Sequence, residues 1–451
     1  RFLSAILFDV YSVSAPLSQR KRVTGMIKTS ALRFGVAALA LASAVATAGA
    51  ADKPLAGTTL TIASQNDQFA AVIAKLAPQF EEKTGATVKV DILDYGSLLT
   101  KTQADFVGHT KSYDLITMDI VWAGQYAENG YTVDLTELMK RDAAELQLDD
   151  IYPATIQYIG QYNGKQVAFP FAGYAAVMAY RKDLLDAAGI KVPETAEDFV
   201  DAAIKLTDPS KKIYGFVANG QKGAAVAQDW LQYNAQLGGS VLDANGKPAL
   251  NSDANVASLK IYKELFDKAA PPGAVDYDWG GREESFRQGL VALMETWSVG
   301  APGYYDPAMS KIVDSVGITY TPVGKGLPLK YGLGGWGMAI NADLDKEKQE
   351  AAWSFIKWLV SPEVQKEMNM NGAGSYIRKS TLADPELNAK YPFLPVIAKS
   401  FENADGDYRP RIPQYPEIQD LLGTAVNAVL VGNTDPKAAL DEAQAQAEKL
   451  F

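Results

Sequence analysis

Between Tyr331 and Ile340 the chain sets four glycines, Gly332, Gly334, Gly335 and Gly337, around one tryptophan, Trp336, and closes on the alternating Met338 and Ile340. A strand with so few β-carbons bends easily and lets other backbone come close, so any fold of this chain must bring something against it. Two readings follow. The segment is either a hinge and cleft wall, with Gly335 and Trp336 facing a ligand, or a buried strand whose glycines allow tight packing. Downstream, Ala351, Ala352, Phe355, Ile356, Leu359 and Val360 recur at helical spacing, and Ser361 with Pro362 ends that helix and caps the next.

At 451 residues and 47% hydrophobic, the chain can build two or three domains. It contains no cysteine, which removes disulfides, thiolate metal sites, cysteine nucleophiles and a lipidated cysteine. Residues 1–50 do not read as fold. Met26, a plausible start, precedes Lys28, Arg33, the apolar run GVAALALASAVA and the small-residue site Ala48, Gly49, Ala50, which together predict a cleavable secretory signal. Removing those residues takes away six basic side chains and one acid, so the formal charge moves from −10 to −15. Nucleic acid and anionic membrane, which need a basic footprint, are poor partners for such a chain.

From Leu60 onward, strand and helix patterns alternate as a parallel α/β sheet requires. Ligands bind at the carboxyl ends of strands in such sheets. The first strand is read at Leu60–Ala63, and the polar loop after it puts Gln65, Asn66 and Asp67 at that end, although Asp67 is equally suited to capping the next helix. Another apolar strand ends at Asp119, with Trp122 one turn later. A carboxylate beside an indole suits a sugar, since the acid accepts hydroxyl hydrogen bonds while the ring covers C–H surface; core packing is the other role open to Trp122. Strands are also expected at 166–171 and 214–217, with a helix carrying Trp230, Tyr233 and Asn234. His109, the only histidine, sits in a polar loop without metal-ligand spacing around it.

Six ordered blocks carry a resemblance: LTIASQNDQF, APQFEEKTGATVKVD, YDLITMDIVWAGQYAENG, NGKQVAFPFAGYAAVMAYRKDLL, ESFRQGLVALMETW and RPRIPQYPEIQDLLGTAVNAVL. With the glycine segment they make the chain similar to family 1 extracellular solute-binding proteins, the group of the maltose-binding protein. That resemblance implies an α/β two-lobe periplasmic-binding-protein fold of type II-like form. Each lobe would be a mixed, mostly parallel sheet flanked by helices, with a ligand cleft between. It places residues 52–171 and 336–390 in one lobe and 172–332 and 394–451 in the other, with hinges near 171–174, 332–336 and 390–394. Tyr174 would face the cleft at a hinge, Trp297 would supply a stacking floor near Tyr304 and Tyr305, and Tyr95, Trp230 and Glu295 complete the candidate site. Arg378 would receive an acidic group on the ligand, or else pair with an acid of the protein.

The implied function is capture of a carbohydrate, a mono- or disaccharide or a polyol, by a periplasmic monomer that delivers it to the membrane permease subunits of an ABC importer. No cofactor is called for. A polyamine would also exploit carboxylates and rings, a ferric ion would use Tyr304 and Tyr305 as a pair, and a glycosidase would use two of Asp67, Asp119 and Glu295. No nucleophile elbow, zinc-protease motif or phosphate loop supports catalysis. The exported protein is expected to begin at Ala51; its intact mass checks this, and a mass that retains residues 26–50 would make the segment an anchor.

Overall fold

The computed structural model describes residues 53–432 and 434–451; the signal and its cleavage site before Ala51 lie outside them. The chain begins as two consecutive βαβ units. Strand β1 (Thr59–Gln65) leads into a helix at Gln68–Thr84, then β2 (Thr87–Leu93), a helix at Tyr95–Gly108 and β3 (Leu115–Asp119). Both β2 and β3 pair with β1 in parallel. Asp67 caps the first helix, its Oδ1 accepting from the Gln68 N–H at 2.8 Å, and Gly85 in the left-handed conformation ends it. The face carrying Phe69, Ile73, Leu76 and Phe80 is buried against the sheet.

After a small hairpin of β4 (Gln161–Tyr162) and β5 (Lys165–Gln166) comes β6, which runs thirteen residues from Phe169 to Arg181. The sequence expectation stopped this strand at Phe171. Eleven of its residues are buried, so both faces meet core and there is no polar alternation to announce a strand. The later strands are β7 (Tyr214–Val217), β8 (Val291–Trp297), β9 (Val316–Tyr320), β10 (Tyr331–Ile340) and the short β11 (Ala404–Asp405). They join one nine-stranded sheet in the order β2-β1-β3-β10-β6-β8-β7, with β9 on β6 and β11 on β10. Residues 169–175 of β6 pair with β10, whereas 176–181 lie between β8 and β9. In this sheet the antiparallel pairs all involve β6 or β10, and the remaining pairs are parallel.

On the β7–β8 side, helices Ala196–Leu206, Ala224–Gln236 and Asp253–Ala269 cover the sheet, and the C-terminal helices Tyr415–Val431 and Pro436–Ala447 pack on them. On the other side the Lys346–Leu359 helix, capped by Asp345, buries the face read from the sequence, and adds Trp353, whose Nε1–H donates to Asp142 at 2.7 Å.

The glycines of β10 face two ways. A β-carbon on Gly334 would come within 2.5 Å of the Tyr174 ring and 2.9 Å of the Trp297 ring. One on Gly335 would meet Ile159 Cδ1 at 2.3 Å and the Ala172 carbonyl oxygen at 2.5 Å. Gly335 therefore faces packed core and not a ligand, which corrects its assignment to the site; Gly334 is the glycine on the aromatic face. Gly335→Val is expected to destabilise the free protein by about 3 kcal/mol, the upper range for overpacking, read as a lower urea midpoint. A stable variant with weakened ligand binding would return Gly335 to a hinge role.

Candidate functional site

The carboxyl ends of β1 and β3, the start of the helix after β2 and the middle of β10 converge on one aromatic cluster. Asp119 and Trp336 are register partners across β3 and β10. Tyr95 opens its helix beside them, and its hydroxyl donates to Asp119 Oδ2 at 2.9 Å. The Tyr95 ring lies 5.2 Å from Trp122, 6.1 Å from Trp336 and 5.9 Å from Trp279, centroid to centroid. Trp279 begins the helix Trp279–Arg287 that precedes β8, so the cluster joins both parts of the sheet. At the end of β8, Trp297 meets Tyr174 edge-on at 5.3 Å, and the Arg409 guanidinium sits 5.4 Å above the Trp297 ring.

Arg409 is only 3% exposed, yet among the described residues it makes no ion pair, and its Nε finds no hydrogen-bond acceptor. Buried guanidinium groups are normally paired. Its neighbours by charge are Tyr408, Asp119, Tyr415 and Tyr95. The Tyr415 hydroxyl, Gln65 Oε1 and Gln68 Oε1 are likewise buried without a partner. The Trp336 Nε1–H and the Tyr408 hydroxyl lie near Tyr174 and Arg409 respectively, without a hydrogen bond of normal geometry. So many unpaired donors and acceptors around indole faces leave a polar, ring-walled site that a hydroxylated solute can complete.

Burial pushes Asp67 up to about 7, with the nearby Glu283 adding to the rise and the Gln68 N–H opposing it. Burial also raises Asp119, opposed by Arg409 and by the Tyr95 hydrogen bond. Behind the rings runs a buried ionic network. Arg282 Nη1 donates to both oxygens of Asp229 at 2.8 Å, and Nη2 donates to Glu283 Oε1 at 3.0 Å and Thr296 Oγ1 at 2.9 Å. The Tyr304 hydroxyl donates to the other Glu283 oxygen. This network locks the helix of Trp279 to the strand of Trp297.

The structure thus gathers Gln65, Asp67, Tyr95, Asp119, Trp122, Tyr174, Trp297 and Trp336, and leaves other candidates outside. Glu295, two residues before Trp297, is turned under the helices, where Gln236 and Gln232 donate to it at 2.7 and 3.3 Å. Arg378 is fully buried and spent on structure: Nε donates to the Val360 carbonyl at 2.7 Å, Nη2 to the Leu146 carbonyl at 2.8 Å and Nη1 to Asp150 at 3.2 Å. Asn66 is exposed. Trp230 is fully buried and stacks on none of the cluster rings among the described pairs. Tyr304 packs on Phe286 while Tyr305 stacks on Phe393, so the two phenols do not form a pair. Sequence reasoning missed Arg409 and Trp279. The one signal for Arg409 was its neighbour: Arg411 takes Asp407 at 2.7 Å, leaving Arg409 without a local acid.

A ring-walled site at strand ends, with unpaired polar groups beside carboxylates, is the arrangement of a site that holds a solute. The model of the bacterial extracellular solute-binding protein family matches residues 63–366, and the chain belongs to that family. It is 68% identical to an ABC transporter solute-binding protein from Agrobacterium radiobacter K84 solved in complex with ribitol, with a TM-score of 0.87 over 88% of this chain and 100% of that one. A solute-binding protein from Agrobacterium vitis S4 with bound D-mannitol is 28% identical, with a TM-score of 0.79 over 87% of this chain and 98% of that one. The probable amino-acid ABC transporter periplasmic-binding protein y4oP of Sinorhizobium fredii is 27% identical over 96% of this chain and 98% of its own.

The raised carboxyls fix a pH dependence. Burial lifts Glu295 to about 8 as it lifts Asp67 to about 7, so the folded state holds protons that the unfolded chain has released. Stability contributed by these groups is present at low pH and declines as pH rises from about 4 towards 8. The melting temperature is expected to fall by roughly 5 °C between pH 5 and 8.5, and Glu295→Gln to flatten that fall.

Proposed function

We propose that this protein captures a short linear polyol of the ribitol class in the cleft between its two lobes and presents it to the permease of an ABC importer. The observation that carries the reading is Arg409, a buried cation with no partner of its own, lying by charge next to Asp119 and Tyr95 and over the face of Trp297. A polyol hydroxyl accepts from a guanidinium and donates to a carboxylate at once, so one ligand satisfies both groups, while its C–H edge lies on the indoles. The ribitol and D-mannitol complexes of the related proteins support the same class.

In this reading residues 52–171 and 336–390 supply Asp67, Tyr95, Asp119, Trp122 and Trp336, and residues 172–332 with the C-terminal helices supply Tyr174, Trp279, Trp297 and Arg409. The Leu394–Glu402 helix packs on Lys379–Ala383 and on β6, which supports a third crossing nearer β11 than residues 390–394. The protein works as a periplasmic monomer, and no helix among the described residues is long and apolar enough to cross a membrane.

Calorimetry against ribitol, D-mannitol, D-ribose, maltose and an amino acid such as glutamine tests the assignment. Ribitol is expected to bind in the micromolar range, equivalent to about 8 kcal/mol, and maltose not to bind; preference for the amino acid, or silence towards every polyol, overturns it. Trp297→Ala is expected to weaken ribitol binding by about 2–4 kcal/mol, the size of a hot-spot truncation. Arg409→Met should do the same, and a variant of either kind with unchanged affinity places the ligand elsewhere.

A further inference from the structure

A second cavity, of about 180 Å³, lies beneath the helices Ala196–Leu206, Ala224–Gln236 and Asp253–Ala269. It shares none of its lining with Arg409 or the cleft rings. Phe199, Val200, Leu237 and Ile261 make its walls apolar. Its inner end is polar and unfinished. Gln236 has committed its Nε2 to Glu295, which leaves its Oε1 without a partner, and the Tyr233 hydroxyl has none either; both residues are 6% exposed. Glu295, 3% exposed, makes no ion pair among the described residues, and no lining residue is basic. Exposed Glu197 and Asp201 stand at the mouth.

An occupant must therefore bring donors and positive charge to the inner end and apolar surface to the walls. An anion is repelled by Glu197 and Asp201 at the mouth, and Glu295, which burial keeps protonated until a cation meets it, adds a third negative charge only to a cation's advantage. A neutral alcohol offers one donor to three waiting acceptor sites. We propose that this cavity is a second binding site, which takes the ammonium head of a short primary aliphatic amine against Glu295, Gln236 and Tyr233. Three N–H donors match the Glu295 carboxylate, which releases its proton to solvent as the cation binds, the amide oxygen and the phenol oxygen. The two glutamine N–H groups already on Glu295 hold the carboxyl in place, and the cation replaces the missing countercharge. The rise of Glu295 to about 8 agrees with a buried acid that lacks one.

Titration of the full chain with n-pentylammonium, 1-pentanol and pentanoate, followed by calorimetry with and without saturating ribitol, tests this. Pentylammonium is expected to bind at least tenfold more tightly than pentanol in both conditions, and pentanoate not at all. Glu295→Gln should weaken the amine at least tenfold while leaving pentanol within threefold. Ile261→Trp, at a half-buried position, should fill the cavity and abolish binding of both, with the far-ultraviolet spectrum unchanged. Equal affinity for amine and alcohol, competition by ribitol, or amine binding that survives both substitutions would overturn the proposal.

Discussion

Gly335 and Gly173 are partners across the β6–β10 ladder, and neither has room for a β-carbon: Gly335 is closed by Ile159 and the Ala172 carbonyl, Gly173 by the Tyr376 carbonyl at 2.6 Å. The two strands that carry the chain between the halves of the sheet thus meet at backbone distance. On the opposite face of β10 the missing side chains of Gly332 and Gly334 make the room that Tyr408, Tyr174 and Trp297 fill. Tight packing on one face and vacancy on the other come from one run of glycines, so the placement of the site rings depends on the same residues that hold the sheet together. Because β6 belongs to both halves, Tyr174 and the partner of Trp297, Ala176, stand only two residues apart.

The charged groups are arranged in layers. Both terminal nitrogens of Arg282 are engaged, by Asp229, Glu283 and Thr296, although its Nε finds no acceptor. In front of it, Asp67 and Asp119 are pushed towards neutrality by burial, and Arg409 is left unpaired. An arginine held by two carboxylates behind and one without an ion pair in front is the pattern expected where a rigid scaffold presents groups to a ligand. Arg378 shows the contrast: equally buried, it spends three donors on two carbonyls and Asp150, and it has nothing to offer a solute.

Much of the fold was legible because its parts obey local rules. The apolar stripe from Ala351 to Val360 is buried as its spacing demands, and Gln65 and Asp119 stand at strand ends as the pattern expected. What stayed hidden depends on long-range contact. Nothing in the alternation of β8 distinguishes Glu295, turned beneath helices more than 50 residues earlier, from Trp297, which meets the site. Arg409 lies in a proline-rich loop with no periodicity, and its lack of a partner is a property of the folded surroundings. Asp67 caps its helix and also has its carboxyl raised by burial, so the two roles the sequence set against each other are compatible in one side chain.

That deficit also bears on how such a trap avoids closing on nothing. Arg409 Nε is shut away from water without an acceptor, while burial disfavours ionisation of Asp67 and Asp119. On the proposed two-lobe reading, opening would return all three to water and so bias the empty protein towards the open form. A polyol supplies the missing acceptor and donors only when both lobes grip it, which gives it a differential affinity for the closed state, the one quantity that can move the equilibrium. Pairing Arg409 permanently, by an acid of the protein's own, would remove the penalty on empty closure and the affinity together; the unpaired guanidinium is what ties recognition to the conformational change.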